Sequence, residues 1–116
     1  MTFHHCTKVL IVEDDALIAA MLEAMVEDMG YWIVGPYHNL QDALDHASED
    51  DIDFGLLDYN LGHDTDILPV VEVLSKRGVP FAITSGESEA TIRASLPECP
   101  ILSKPVLESE LESVLP

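Results

Sequence analysis

Basic residues are scarce in this chain: 5 Lys and Arg stand against 22 Asp and Glu among 116 residues, a formal charge of −17. Such a surface repels a phosphate backbone and an anionic membrane face alike, so direct nucleic-acid binding and membrane association are not expected. Cysteine is equally sparse. Cys6 and Cys99 have neither the density of a disulfide scaffold nor the spacing of a zinc site, and a reducing cytoplasm is the expected setting. No run approaches the roughly 20 apolar residues of a membrane span, and Met1–Cys6 lacks the apolar core of a signal peptide. The adjacent His4 and His5 have no third ligand near them in sequence and read as surface. Low-complexity segments, linkers and internal repeats are also missing, so residues 1–116 read as one domain.

What the chain does contain is an alternation of short apolar runs and amphipathic segments. Lys8 to Val12 (KVLIV) is continuous and rich in branched residues, as in a strand buried on both faces of a parallel sheet. Leu17, Ile18, Met21, Leu22, Met25, Val26 and Met29 then recur with a helical period that Gly30 stops. A second strand is expected at Tyr31 to Val34, ended by Gly35-Pro36. Next come a helix over Leu40 to Ala47, a strand over Phe54 to Leu57, and a helix with Pro69 in its first turn that ends near Arg77-Gly78. A strand over Phe81 to Thr84, a helix over Glu89 to Ser95, a strand over Ile101 to Ser103 and a helix over Glu108 to Leu115 complete the pattern. Five strands joined by helices predict an α/β domain, a doubly wound five-stranded parallel sheet with helices on both faces. Trp32 reads as core or half-buried surface, the three methionines as core fillers, and His38, His46 and His63 as solvent-facing.

Ligands of such a sheet sit beyond the carboxyl ends of its strands. There the chain places Glu13-Asp14-Asp15, Asp58, Thr84-Ser85-Gly86 and Lys104-Pro105. Taken singly these are ordinary: an acidic run can be a helix N-terminus, and an Asp after a strand can be turn chemistry. Jointly they bring carboxylates, a hydroxyl and an ammonium to one rim. Crowded carboxylates stay ionised at neutral pH only with a compensating cation, and Mg²⁺, a hard ion that accepts carboxylates, waters and phosphate oxygens, meets that need. An ionised aspartate could then attack phosphorus while the metal and Lys104 neutralise the spreading charge and a hydroxyl donates to a remaining oxygen. Thr84 and Ser85 point to opposite faces of their strand, so only one of them can serve.

The segments VLIVEDD, LLDYNL, the hydroxyl pair before Gly86, and SKP resemble the receiver domains of two-component response regulators, over nearly the whole chain. The resemblance implies a flavodoxin-like sheet in strand order 2-1-3-4-5. It implies Asp58 as phosphoacceptor, Glu13 and Asp14 as the acidic pair that arranges Mg²⁺ (with Mn²⁺ as a substitute), and the backbone carbonyl of Asn60 as a further ligand. Lys104 would pair with the phosphoryl oxygens, across a cis Lys104–Pro105 bond. Counted from Pro80, the family's hydroxyl falls on Ser85 with Gly86 as the small residue after it; the competing register would make Thr84 the donor. The stretches YWIVGP and PVVEVLSKRGVPF and the Ser-Gly pair resemble alphaproteobacterial receivers with a Phe-Ala-Thr-Gly signature. Two positions depart from the wider pattern. Glu87 stands where those receivers carry an aromatic, and Ile101 where many receivers carry a switch Tyr or Phe.

The implied partners are a sensor histidine kinase or phosphotransfer protein as donor, and a downstream protein contacted through the fourth helix, fifth strand and fifth helix. The implied state is a monomer or a phosphorylation-dependent dimer in the cytoplasm. Such a module is not a conventional enzyme, although it catalyses its own phosphorylation and dephosphorylation. A small aspartyl-phosphate phosphatase or phosphotransferase is the main alternative, but Asp58-Tyr59-Asn60 lacks the second aspartate that would act as acid and base. A flavin carrier is disfavoured because the first strand ends in acids rather than phosphate-binding Gly, Ser or Thr.

Overall fold

Val9 to Val12 of KVLIV form an interior strand of the sheet because each of these side chains has apolar cover on one face or the other. A computed structural model describes residues 7–62, 65–93 and 95–116; His4, His5, Cys6 and His63 lie outside the described residues. In chain order the elements are β1 (Lys8–Val12), α1 (Ala16–Asp28), β2 (Trp32–Tyr37), α2 (Leu40–Glu49), β3 (Phe54–Asp58), α3 (Leu68–Lys76), β4 (Phe81–Ser85), α4 (Glu89–Arg93), β5 (Ile101–Ser103) and α5 (Glu108–Val114). The five strands form one sheet in the order β2-β1-β3-β4-β5, with every neighbouring pair parallel. That is the doubly wound α/β architecture expected from the alternation of apolar runs. No helix among the described residues is long and apolar enough to cross a membrane.

Alternation along the strands sorts the core into two layers. Leu10, Val12, Leu57 and Ile83 pack with Ala43 and Ala47 of α2, Val70, Val71 and Leu74 of α3, and Ile92 of α4. Val9, Ile11, Phe54, Leu56 and Ala82 pack on the opposite face with Leu22 and Val26 of α1 and Leu111 of α5. Burial on both faces is what lets strands of continuous apolar sequence exist without exposing a row of side chains.

The second strand departs from expectation. It does not stop at Gly35-Pro36 but runs on to Tyr37, with a register slip: Leu10 pairs with Val34, and Val12 pairs with Tyr37. Proline is tolerated because β2 is an edge strand, where one side of the ladder needs no N–H. Glycine is required because residue 35 has a φ of +102°, and a Cβ there would lie 2.8 Å from the Tyr37 nitrogen. Trp32, at the start of this edge, is 61% exposed rather than core, and Met21 of α1 is 54% exposed rather than a core filler. The apolar stripe of α1 is wider than the surface the sheet can cover. His46 does not face solvent freely either: it is half-buried and stacks on Tyr37 with ring centroids 4.3 Å apart. The fourth helix is described over Glu89–Arg93, and Ser95, expected at its end, lies in a turn.

Candidate functional site

Parallel pairing places the ends of β1, β3, β4 and β5 along one rim, and the polar residues that follow them line a common crevice. Two acids are driven deep into it. Glu13 is fully buried and Asp58 is 2% exposed. Lys104, directly after β5, reaches across the sheet to both, its Nζ 2.9 Å from Glu13 Oε1 and 3.1 Å from Asp58 Oδ1. The Lys104 backbone is fixed by its N–H donating to the Ser85 carbonyl, and the Lys104–Pro105 bond is cis.

The main chain holds the acids in place. The Glu13 N–H donates to the carbonyl of Tyr37, an atom brought within 3.0 Å by the slip in β2. His38 Nδ1 lies 3.0 Å from the Glu13 carbonyl, and Glu13 Oε2 accepts from the Asp15 N–H. Asp58 Oδ1 accepts from the Asn60 N–H at 3.3 Å, whereas Asp58 Oδ2 is buried with no hydrogen-bond partner among the described residues. Carboxylate oxygens of Glu13, Asp14 and Asp58 all lie within 4.8 Å of one another. Asn60 lines the crevice with its side-chain oxygen committed to the Gly62 N–H.

Asp15, third in the acidic run, has a different task. Its Oδ1 accepts from the N–H groups of Leu17 and Ile18 and so caps α1, satisfying donors that have no partner inside the helix. The two hydroxyls at the end of β4 are separated as strand alternation demands. Ser85 lines the acidic crevice, and its Oγ accepts the Glu87 N–H at 2.9 Å. Thr84 lines a different cavity, on the α1 side of Lys104. Residue types alone do not reveal the hold on Glu13 by the Tyr37 carbonyl and His38. The capping role of Asp15 does have a sequence signal, since it directly precedes an apolar helical period.

Electrostatics follow from this burial. Desolvation pushes the pKa of Asp58 up to about 7, the neighbouring Glu13 adds to the rise, and Lys104 opposes it. Burial alone would lower the pKa of Lys104, but its bonds to Glu13 and Asp58 outweigh that and keep it above the ordinary value. One ammonium pairs with the two buried carboxylates, Asp14 brings a third beside them, and Asp58 carries an orphaned buried oxygen. An all-oxygen donor set of this kind suits a hard divalent cation.

The chain matches the family model described as the response regulator receiver domain over residues 9–115. The transcriptional regulatory protein PdtaR of Mycobacterium tuberculosis is 33% identical over 82 residues, covering 71% of this chain and 40% of that protein. The chain thus matches less than half the length of its curated relatives. The solution structure of SdrG from Sphingomonas melonis Fr1 superposes with a TM-score of 0.82 at 33% identity, covering 94% of this chain and 92% of that one. The receiver domain of a sensor histidine kinase from Pseudomonas aeruginosa PAO1, solved with a magnesium ion coordinated in its active site cleft, gives a TM-score of 0.81 at 22% identity over 94% and 93% of the two chains, a likeness of fold.

Proposed function

The chain belongs to the response regulator receiver domain family, and from that premise we propose that it accepts a phosphoryl group on Asp58 from a histidine kinase or phosphotransfer protein. The observation that carries this reading is the state of Asp58: buried, with one oxygen bound to Lys104 and Asn60 and the other without a partner. Oδ2 is the nucleophile. It forms the bond to phosphorus as the P–N bond of the donor's phosphohistidine breaks, and the departing imidazole takes up a proton.

Mg²⁺ held by Glu13, Asp14, Asp58 and the Asn60 carbonyl, with Mn²⁺ as a substitute, would keep Asp58 ionised and neutralise phosphoryl oxygens. The clustering of the Glu13, Asp14 and Asp58 oxygens within 4.8 Å supports an ion there, and the receiver domain from Pseudomonas aeruginosa, alike in fold, holds a magnesium ion in its own active site cleft. Lys104, already aimed at Asp58 Oδ1, pairs with the incoming charge. Ser85 already accepts the Glu87 N–H, which leaves its own proton to donate to a phosphoryl oxygen. That new hydrogen bond pulls on the end of β4 and begins the change of shape. Output passes to a protein target in the cytoplasm rather than to DNA, in keeping with the charge of −17.

The test is transfer of label from acetyl phosphate or a phosphorylated kinase, with and without a chelator. Label should appear on the native chain only with a divalent ion and be absent from Asp58→Asn. Incorporation into Asp58→Asn at the native rate sinks the reading.

A further inference from the structure

Of the three carboxylates gathered in the crevice, Glu13 and Asp58 are buried and tied to Lys104, whereas Asp14 is exposed. Its place in the set must therefore come from the main chain on either side of it. Two side chains supply that hold. The Asp14–Asp15 peptide is fixed from within the set, because Glu13 Oε2 accepts the Asp15 N–H at 3.1 Å. The Glu13–Asp14 peptide is fixed from outside it, by the imidazole of His38, whose Nδ1 lies 3.0 Å from the Glu13 carbonyl.

A carbonyl oxygen only accepts, so Nδ1 must carry a proton and act as the donor. His38 follows directly on β2 and stands outside the residues that line the crevice, so it acts on the acidic loop rather than on anything bound there. Its neighbour Tyr37 holds the other side of Glu13, accepting the Glu13 N–H at its carbonyl. Residues 37 and 38 thus bond Glu13 on both sides. The first bond is one that any backbone could make; the second depends on which side chain stands at position 38.

We propose, on the reading of the crevice as an ion and phosphoryl site, that His38 is a positioning residue for the divalent ion. By donating to the Glu13 carbonyl it sets the plane of the Glu13–Asp14 peptide, and so keeps the exposed Asp14 carboxylate beside those of Glu13 and Asp58. A loop ordered before the ion arrives loses less freedom on binding. An untied peptide plane can turn and carry Asp14 out of the set. Groups that orient a ligand tune ion affinity without touching the ion. What the role requires of His38 is a donor, not a charge.

The experiment measures Mg²⁺ binding to the unphosphorylated full chain by calorimetry, in the native protein and in two variants. His38→Asn keeps an N–H donor at the same number of bonds from the Cα and carries no charge; His38→Leu keeps side-chain bulk and donates nothing. Position 38 is exposed, so neither substitution disturbs the core. The Leu variant should bind Mg²⁺ about fivefold more weakly, and the Asn variant should return to within about twofold of the native chain. In mild alkali the nitrogen resonances of the native imidazole should place its proton on Nδ1, a signature that packing alone does not produce. Equal affinity in all three chains, an Asn variant as weak as the Leu variant, or a proton resident on Nε2 overturns the role of His38 and leaves the acceptor reading of Asp58 standing. The expected loss and rescue in a chain that takes no label on Asp58 upholds the role of His38 and sinks the acceptor reading. A native chain that takes up no Mg²⁺ overturns both.

Discussion

The crevice above Asp58 and the cavity beside Thr84 share the side chain of Lys104, yet one is walled by carboxylates and the other by methyl and thioether groups. Each contains a buried oxygen with no partner, Asp58 Oδ2 in the first and Thr84 Oγ1 in the second. The same lack of a partner means different things in the two places. In the crevice the orphan belongs to an ionisable group in a strong field, so a proton can relieve it. On the cavity side the orphan is a neutral hydroxyl closed off from solvent, and its cost is the same at any pH. One step along β4, from Thr84 to Ser85, is enough to move a hydroxyl from one regime to the other.

The contrast breaks most visibly at the shared residue. Lys104→Met leaves Glu13 and Asp58 buried without their cation, and breaking a buried pair of this kind costs about 3–5 kcal/mol. Urea denaturation in mild alkali should show a loss of that order, smaller at neutral pH and below, where Asp58, freed of the opposing Lys104 charge, takes up a proton. A loss under about 1 kcal/mol would mean that the crevice is as solvated as an ordinary surface.

Titration of the metal-free chain sharpens the crevice side. Folded Asp58 keeps its proton up to about pH 7, whereas the unfolded chain releases it near ~3.9. Between those values the native state binds more protons, so stability falls as pH rises through the window and the contribution is gone above the folded pKa. At about 1.4 kcal/mol per pKa unit the ceiling is about 4 kcal/mol. Denaturation midpoints in EDTA should therefore be lower in mild alkali than in mild acid. Mg²⁺ should offset the fall by replacing the proton, and Asp58→Asn should flatten it. Equal midpoints for the native chain across the window contradict the burial argument.

The smallest effect separates the two hydroxyls. Thr84→Val removes an unpaired buried group and should raise stability by about 1 kcal/mol. Ser85→Ala should leave stability and Mg²⁺ binding nearly unchanged while uncoupling phosphorylation from the change of shape, read by amide chemical shifts. The reverse outcome would put Thr84, not Ser85, at the phosphoryl group.

Much of this is legible in the sequence. KVLIV, FGLL and FAIT declare strands because parallel sheets bury both faces, and parallel order then obliges Glu13, Asp58, Ser85 and Lys104 to share a rim. Legibility stopped where one residue's conformation depends on a distant neighbour. Gly35-Pro36 has the composition of a stop, and only its place at the sheet edge lets the strand continue. Leu17 and Met21 obey the helical period of α1, but periodicity names a face without saying how much of it the sheet covers, and they are 72% and 54% exposed. Asp15 belongs by composition to the acidic run and by geometry to the cap of α1.

The slip in β2 has a consequence for how tolerant the acidic loop is to sequence change. Glu13 is anchored through a carbonyl, an atom every amino acid possesses, so the anchor itself does not depend on the side chain at position 37. What it does demand is the backbone path through residue 35, where φ is +102° and a Cβ would press on the Tyr37 nitrogen. In a saturation library the position that governs the hold on Glu13 would therefore be a glycine on the far edge of the sheet, with no charge, no side chain and no place in the acidic crevice it helps to shape.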